Sequence, residues 1–146
     1  MNLLTHLQGR RVASVAVMVT LSMGVLSSVL FAKTFKLQNA SIVPGATGEV
    51  KAGKDKNGNT KFSVEVKHLA DPTGLTPPKS VYMVWIQVKG GTPESQGMLK
   101  VNKNLEGKFE SSTPSKYFDL WITAESDAAT KSPGGPEVLR ASGVSP

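Results

Sequence analysis

The chain has 146 residues, 17 basic against 11 acidic side chains, a formal net charge of +6 and no cysteine. Beyond the leader described below, that length suffices for one domain with its own core, and the missing cysteine excludes disulfides, thiolate metal centres and lipid attachment through a thiol. Arg140 is the single arginine after Arg11, and the lysines are spread from Lys33 to Lys131. That spacing fits a solvated cationic surface and speaks against the clustered basic and aromatic side chains of a nucleic-acid site.

Residues 1–11 are short and basic, residues 12–32 carry no charge, and Lys33 ends the run. Two readings of this segment stay open. A secretory signal peptide has a basic start, an apolar stretch of about 7–15 residues and small residues at the cleavage site. Cutting after Ala32 would leave Leu30 where a small residue is usual, and the apolar stretch is long. A membrane-spanning helix needs about 20 apolar residues, so an uncleaved anchor also fits, with Arg10 and Arg11 on the cytoplasmic side. Both readings export residues 33–146, to the periplasm, the cell surface or the medium, and the anchored one keeps them at the inner membrane. We therefore expect a leader or anchor at 1–32 and one domain at 33–146.

Past the leader the hydrophobic period is two. Residues 34–38 offer an opening strand and 46–52 a second one. Asn57-Gly58 tolerates positive φ and closes a hairpin, joining 46–52 to 61–67, where Phe62, Val64 and Val66 face a core and Ser63, Glu65 and Lys67 face water. Residues 69–78 contain Pro72, Pro77 and Pro78, which lack the N–H that a ladder needs, and read as a crossover loop. Residues 81–88 are apolar on both faces until Gln87, as in a strand covered on each side, and put Trp85 in the core. After the break at 90–93 come 97–101, a lysine-guarded edge strand at 105–110, and 117–124 with Phe118, Leu120, Ile122 and Ala124 on one side. A rigid turn at 133–136 precedes a closing strand at 137–141.

These eight candidates, with no helix after residue 32, predict an all-β fold: an antiparallel β-sandwich of about seven to eight strands behind an N-terminal hydrophobic helix, with a barrel as the lesser alternative. The long connections at 69–80 and 111–116 suit a Greek key.

The order of a leading membrane segment, Tyr82-Met83-Val84-Trp85-Ile86, Gly97-Met98, Thr123-Ala124-Glu125 and Gly134-Gly135-Pro136-Glu137-Val138-Leu139 resembles the extracytoplasmic carboxy-terminal domain of anti-sigma-K-type regulators. The likeness spans residues 80–141 and implies an immunoglobulin-like sandwich. Such regulators carry a sigma-binding domain with zinc-ligand His and Cys before the membrane segment, whereas eleven residues without cysteine stand there here. The chain is also similar to small uncharacterised exported bacterial β-sandwich proteins.

No catalytic, cofactor or metal constellation emerges. A Ser-His-Asp mechanism needs a base between a nucleophile and an orienting carboxylate, and His68 near Asp71 is the one place to look for it. Zinc wants three or four ligands, and after the leader there is a single histidine. Ala46-Thr47-Gly48-Glu49-Val50 is similar to the opening strand of copper/zinc superoxide dismutases, but the histidine ligands of those enzymes have no counterpart. Residues 55–59 read as a hairpin turn, since the distal Glu of a calcium loop is missing. Glu125 and Asp127 are neighbouring carboxylates with nothing to place a substrate between them. Trp121 lies on the face opposite Phe118, Leu120 and Ile122 and is the candidate contact residue if it is exposed. The expectation is a non-enzymatic exported module of the bacterial envelope that acts on a protein partner or on itself, touching a membrane only through residues 12–32. The alternative is a membrane-anchored extracytoplasmic signalling domain related to anti-sigma factors.

Overall fold

The computed structural model describes residues 32–146, so the expected leader helix lies outside the described residues apart from Ala32. Eight strands follow in chain order: β1 (Lys33–Asn39), β2 (Thr47–Lys54), β3 (Thr60–Lys67), β4 (Val81–Gln87), β5 (Glu94–Leu99), β6 (Gly107–Thr113), β7 (Phe118–Glu125) and β8 (Glu137–Val144). The one helical turn among the described residues is the 3-10 segment Pro72–Gly74.

Every expected strand forms, and two of them shift. β5 starts at Glu94 because Ser95 and Glu94 pair with Trp85 and Ile86; polar residues on an edge strand leave no hydrophobic period to read. β6 starts at Gly107 because Leu105 sits at φ 58° inside a turn in which the Asn102 carboxamide oxygen accepts the N–H groups of Asn104 and Glu106. Its polar end, Ser111–Thr113, stays in the ladder opposite Phe62–Thr60 of β3.

The strands form one antiparallel sheet in the order β5-β4-β7-β8-β1-β2-β3-β6. Two separate sheets were the leading expectation, and β1 is what joins them. Lys33 to Leu37 pair with β2, and Gln38 and Asn39 pair with β8. At the other margin β5 and β6 approach without a ladder: the Ser111 hydroxyl donates to the Gln96 carboxamide oxygen at 3.0 Å, and the Phe109 ring occupies the space that a side chain at Gly97 would need. The sheet is thus nearly closed into a barrel.

Alternation sorts the side chains. Val50, Phe62, Val64, Val66, Tyr82, Val84, Ile86, Phe118, Leu120 and Ile122 fill the interior, each large side chain contributing roughly 1.5–3 kcal/mol by leaving water. Outside, β2, β3 and β6 present a charged surface with Lys51 to Glu49, Lys108 to Glu65 and Lys61 to Glu110 pairs. The outer side of β4 and β7 differs: Met83, Trp85 and Trp121 form a second buried apolar cluster there, so β4 is covered on both faces as its sequence predicts.

Chain direction gives the barrel two ends. Residue 32 enters at the end that carries the β2–β3, β4–β5 and β6–β7 turns. The opposite end gathers the β1–β2, β3–β4, β5–β6 and β7–β8 connections.

Candidate functional site

Among the residues singled out by sequence, the structure brings few together. Asp71 does not orient His68: its carboxylate accepts the Thr73 N–H at 2.9 Å and the Thr73 hydroxyl at 2.5 Å, capping the 3-10 turn. Those two bonds hold its carboxyl below the ordinary aspartate range. Glu125 and Asp127 part company as well. Glu125 is buried and accepts from the Thr123 hydroxyl and from the N–H groups of Gly134 and Gly135. Asp127 is exposed and accepts the Ala129 N–H. Asp55 takes the N–H groups of Asn57 and Asn59 within its hairpin turn. Among the described residues no three His, Asp or Glu side chains converge as a metal site would require.

Trp121 needs a correction. It lies on the outer face as expected but is only 4 % exposed, beneath the Arg140 guanidinium and beside Met83 and Trp85. The exposure on which its candidacy depended is missing. An apolar residue opposite an inward-facing set is solvent-exposed only if nothing covers it, and here the side chain of an adjacent strand does.

Two of the exposed large apolar side chains, Ile42 and Leu105, lie at the end opposite residue 32. A groove of about 550 Å³ runs between the β1–β2, β3–β4 and β5–β6 connections, lined by the buried or half-buried Val43, Ala70 and Leu75 and by the exposed Ile42, Pro44, His68 and Leu105. Ile42 is 44 % exposed and Leu105 42 %. Hydrogen bonds frame the groove. Asn39 donates from its side-chain amide to the carbonyls of Val43 and Ala46, bracing the first loop. The Tyr82 hydroxyl rises from the core to donate to the Ala70 carbonyl at 2.8 Å, and burial together with the Asp71 charge pushes that phenol up to about 12. The third loop is tied to the second by the Leu69 N–H donating to the Leu105 carbonyl at 2.9 Å.

Among the described residues three non-glycine residues have positive φ: His68 at 56° and Leu105 at 58° line this groove, and Ser41 at 69° directly precedes its Ile42. The left-handed region costs an L-residue roughly 1–2 kcal/mol, and Leu105 spends that cost on holding an apolar side chain partly in water. Sequence reasoning passed over Ile42 and assigned Leu105 to a strand. The available signal was a lone leucine inside the polar run Asn102-Lys103-Asn104-Leu105-Glu106-Gly107. No family model, no curated protein and no solved structure matches this chain.

Proposed function

We propose that residues 33–146 are an exported, non-enzymatic binding module of the bacterial envelope that grips an apolar segment of a protein partner in the groove between Ile42 and Leu105. The observation that supports this reading is Leu105: an exposed leucine held at positive φ by backbone bonds on both sides, where glycine or asparagine would sit without strain. Strained backbone clusters at ligand-binding sites, and a preformed groove costs a ligand little ordering. The immunoglobulin-like plan belongs to the same proposal. It is supported by the strand order, in which β2-β3-β6 oppose β5-β4-β7-β8 and the chain changes side after β3, β5 and β6. Loop clusters at one end are where such sandwiches commonly bind.

Photo-crosslinking in cells tests the reading. A crosslinker at position 42 or 105 should capture one defined partner, and the same group at Lys61 or Glu110 on the charged face should not. Leu105→Asn relieves the backbone and removes the apolar group, so it should keep the fold and abolish capture. Equal capture from both faces, or capture that survives Leu105→Asn, would sink the proposal.

The anchored alternative, a signalling domain resembling that of anti-sigma-K regulators, draws support from chain polarity: residue 32 and the groove lie at opposite ends, so a tether at 12–32 would leave the groove pointing away from the membrane. An intact mass beginning at Lys33 would eliminate the anchored form.

A further inference from the structure

The two ends of the barrel differ in charge as well as in shape. Lys33, Lys54, Lys56, Lys89 and Lys116 lie in or beside the turns at the end where residue 32 enters, against Asp55, Glu94 and Asp119. Asp55 is already engaged by the amides of its own turn. At the groove end the loops are close to balance, with Lys79, Lys100, Lys103 and Lys131 facing Asp71, Glu106 and Asp127. The cationic end also carries the most exposed large apolar side chains outside the groove, Tyr117 at 61 % and Val88 at 40 %. These two line one shallow depression together with Lys89 and Asp119. Lys116 donates to the Gly58 carbonyl, which ties the β6–β7 and β2–β3 turns into one surface.

We infer that this end docks on an anionic phospholipid surface, with the lysines at the phosphates and Tyr117 and Val88 in the headgroup layer. Charge complementarity selects the occupant, because anionic headgroups on either face of a bilayer attract lysines within about a Debye length, and an exposed tyrosine favours the boundary between water and acyl chains. Chain continuity selects the same one. β1 begins at Lys33, immediately after the apolar run 12–32, so no spacer separates a bilayer-embedded run from the barrel. This inference rests on the reading of 12–32 as a membrane segment, and it gives the groove a direction: away from the bilayer.

The test uses the full chain reconstituted into vesicles of phosphatidylcholine alone or with added phosphatidylglycerol, with lysine acetylation rates read residue by residue by mass spectrometry. Lys56, Lys89 and Lys116 should be acetylated about fivefold more slowly in the anionic vesicles, with the difference fading at high salt, while Lys79 and Lys103 stay unchanged. The variant Lys116→Gln/Tyr117→Ser should lose the protection of Lys56 and Lys89. Identical rates in both vesicle types, or equal protection at both ends, would overturn the inference. Protection that persists in detergent without lipid would assign this end to a second copy of the chain instead. An intact mass starting at Lys33 in the native membrane would remove only the anchor. The shortened protein must then still bind the anionic vesicles and lose binding in the variant for the inference to stand.

Discussion

The guanidinium carbon of Arg140 lies 4.5 Å from the centre of the Trp121 ring, while Glu137 holds the same guanidinium with bonds of 2.9 Å from Nε and 2.6 Å from Nη2. The arginine thus caps an outer-face indole and is itself held by a carboxylate. Trp121→Ala should cost about 3–5 kcal/mol, as for a buried aromatic. Arg140→Met keeps the apolar stem and removes the cation, and should cost about 0.5–2 kcal/mol beyond any loss from the Glu137 pair. Urea unfolding measures both. A Trp121→Ala cost near zero would mean that the indole is in water.

Glu125 closes the β7–β8 connection. Its carboxylate receives the Gly134 and Gly135 amides, and the Trp85 indole donates at 2.8 Å to the Thr123 hydroxyl, which in turn donates to Glu125 at 2.6 Å. A Cβ on Gly135 would fall 1.8 Å from the Ala124 carbonyl oxygen, which is rigid backbone. Gly135→Ala should therefore displace the loop and cost about 1–3 kcal/mol, with faster hydrogen exchange at the Gly134 amide. Unchanged exchange there would show that the loop is not held by Glu125.

Alkaline titration should single out Tyr82. Its neutral form is favoured in the folded chain, where the phenol is pushed up to about 12. The native state therefore keeps a proton that the unfolded chain gives up near pH 10. Stability from this group is complete below about pH 10 and is lost as pH rises toward the folded value. In Tyr117→Phe, which leaves Tyr82 as the sole tyrosine, the phenolate absorbance should rise near pH 12 or together with unfolding. A midpoint near 10 with the fold intact would contradict the buried bond to Ala70.

Acid behaviour follows the opposite sign. Lys108 binds Glu65 at 3.1 Å and holds its carboxyl below the ordinary glutamate range, and Thr73 does the same for Asp71. Such groups add stability above their unfolded pKa of about 4 and lose it as pH falls through the lower folded values. Carboxyl NMR titration of Lys108→Gln should move the Glu65 midpoint up and leave Asp71 where it was. An unmoved Glu65 would show that the ion pair does not persist in solution, as is common for exposed pairs.

Much of the barrel can be read one strand at a time. The alternation of Phe62, Val64 and Val66 with Ser63, Glu65 and Lys67 assigns both faces of β3, and the doubly apolar 81–86 announces cover on both sides of β4. The candidate site was not legible in this way. Leu105 looks like the start of a strand until its φ of 58° is known, and nothing local tells Trp121, hidden under Arg140, from Tyr117, left in water.

By itself, then, the sequence determined the all-β class, the eight strands, the cysteine-free core and the charged outer face of β3, because side-chain alternation is a property of consecutive residues. The tertiary structure alone decided that β1 would join both halves into one nearly closed sheet, that Trp121 would be buried, and that Ile42, His68 and Leu105 would meet at one end while five lysines gathered at the other. Those outcomes depend on which distant strands become neighbours. That pairing is set by the joint burial of the whole interior, and no local stretch of residues encodes it.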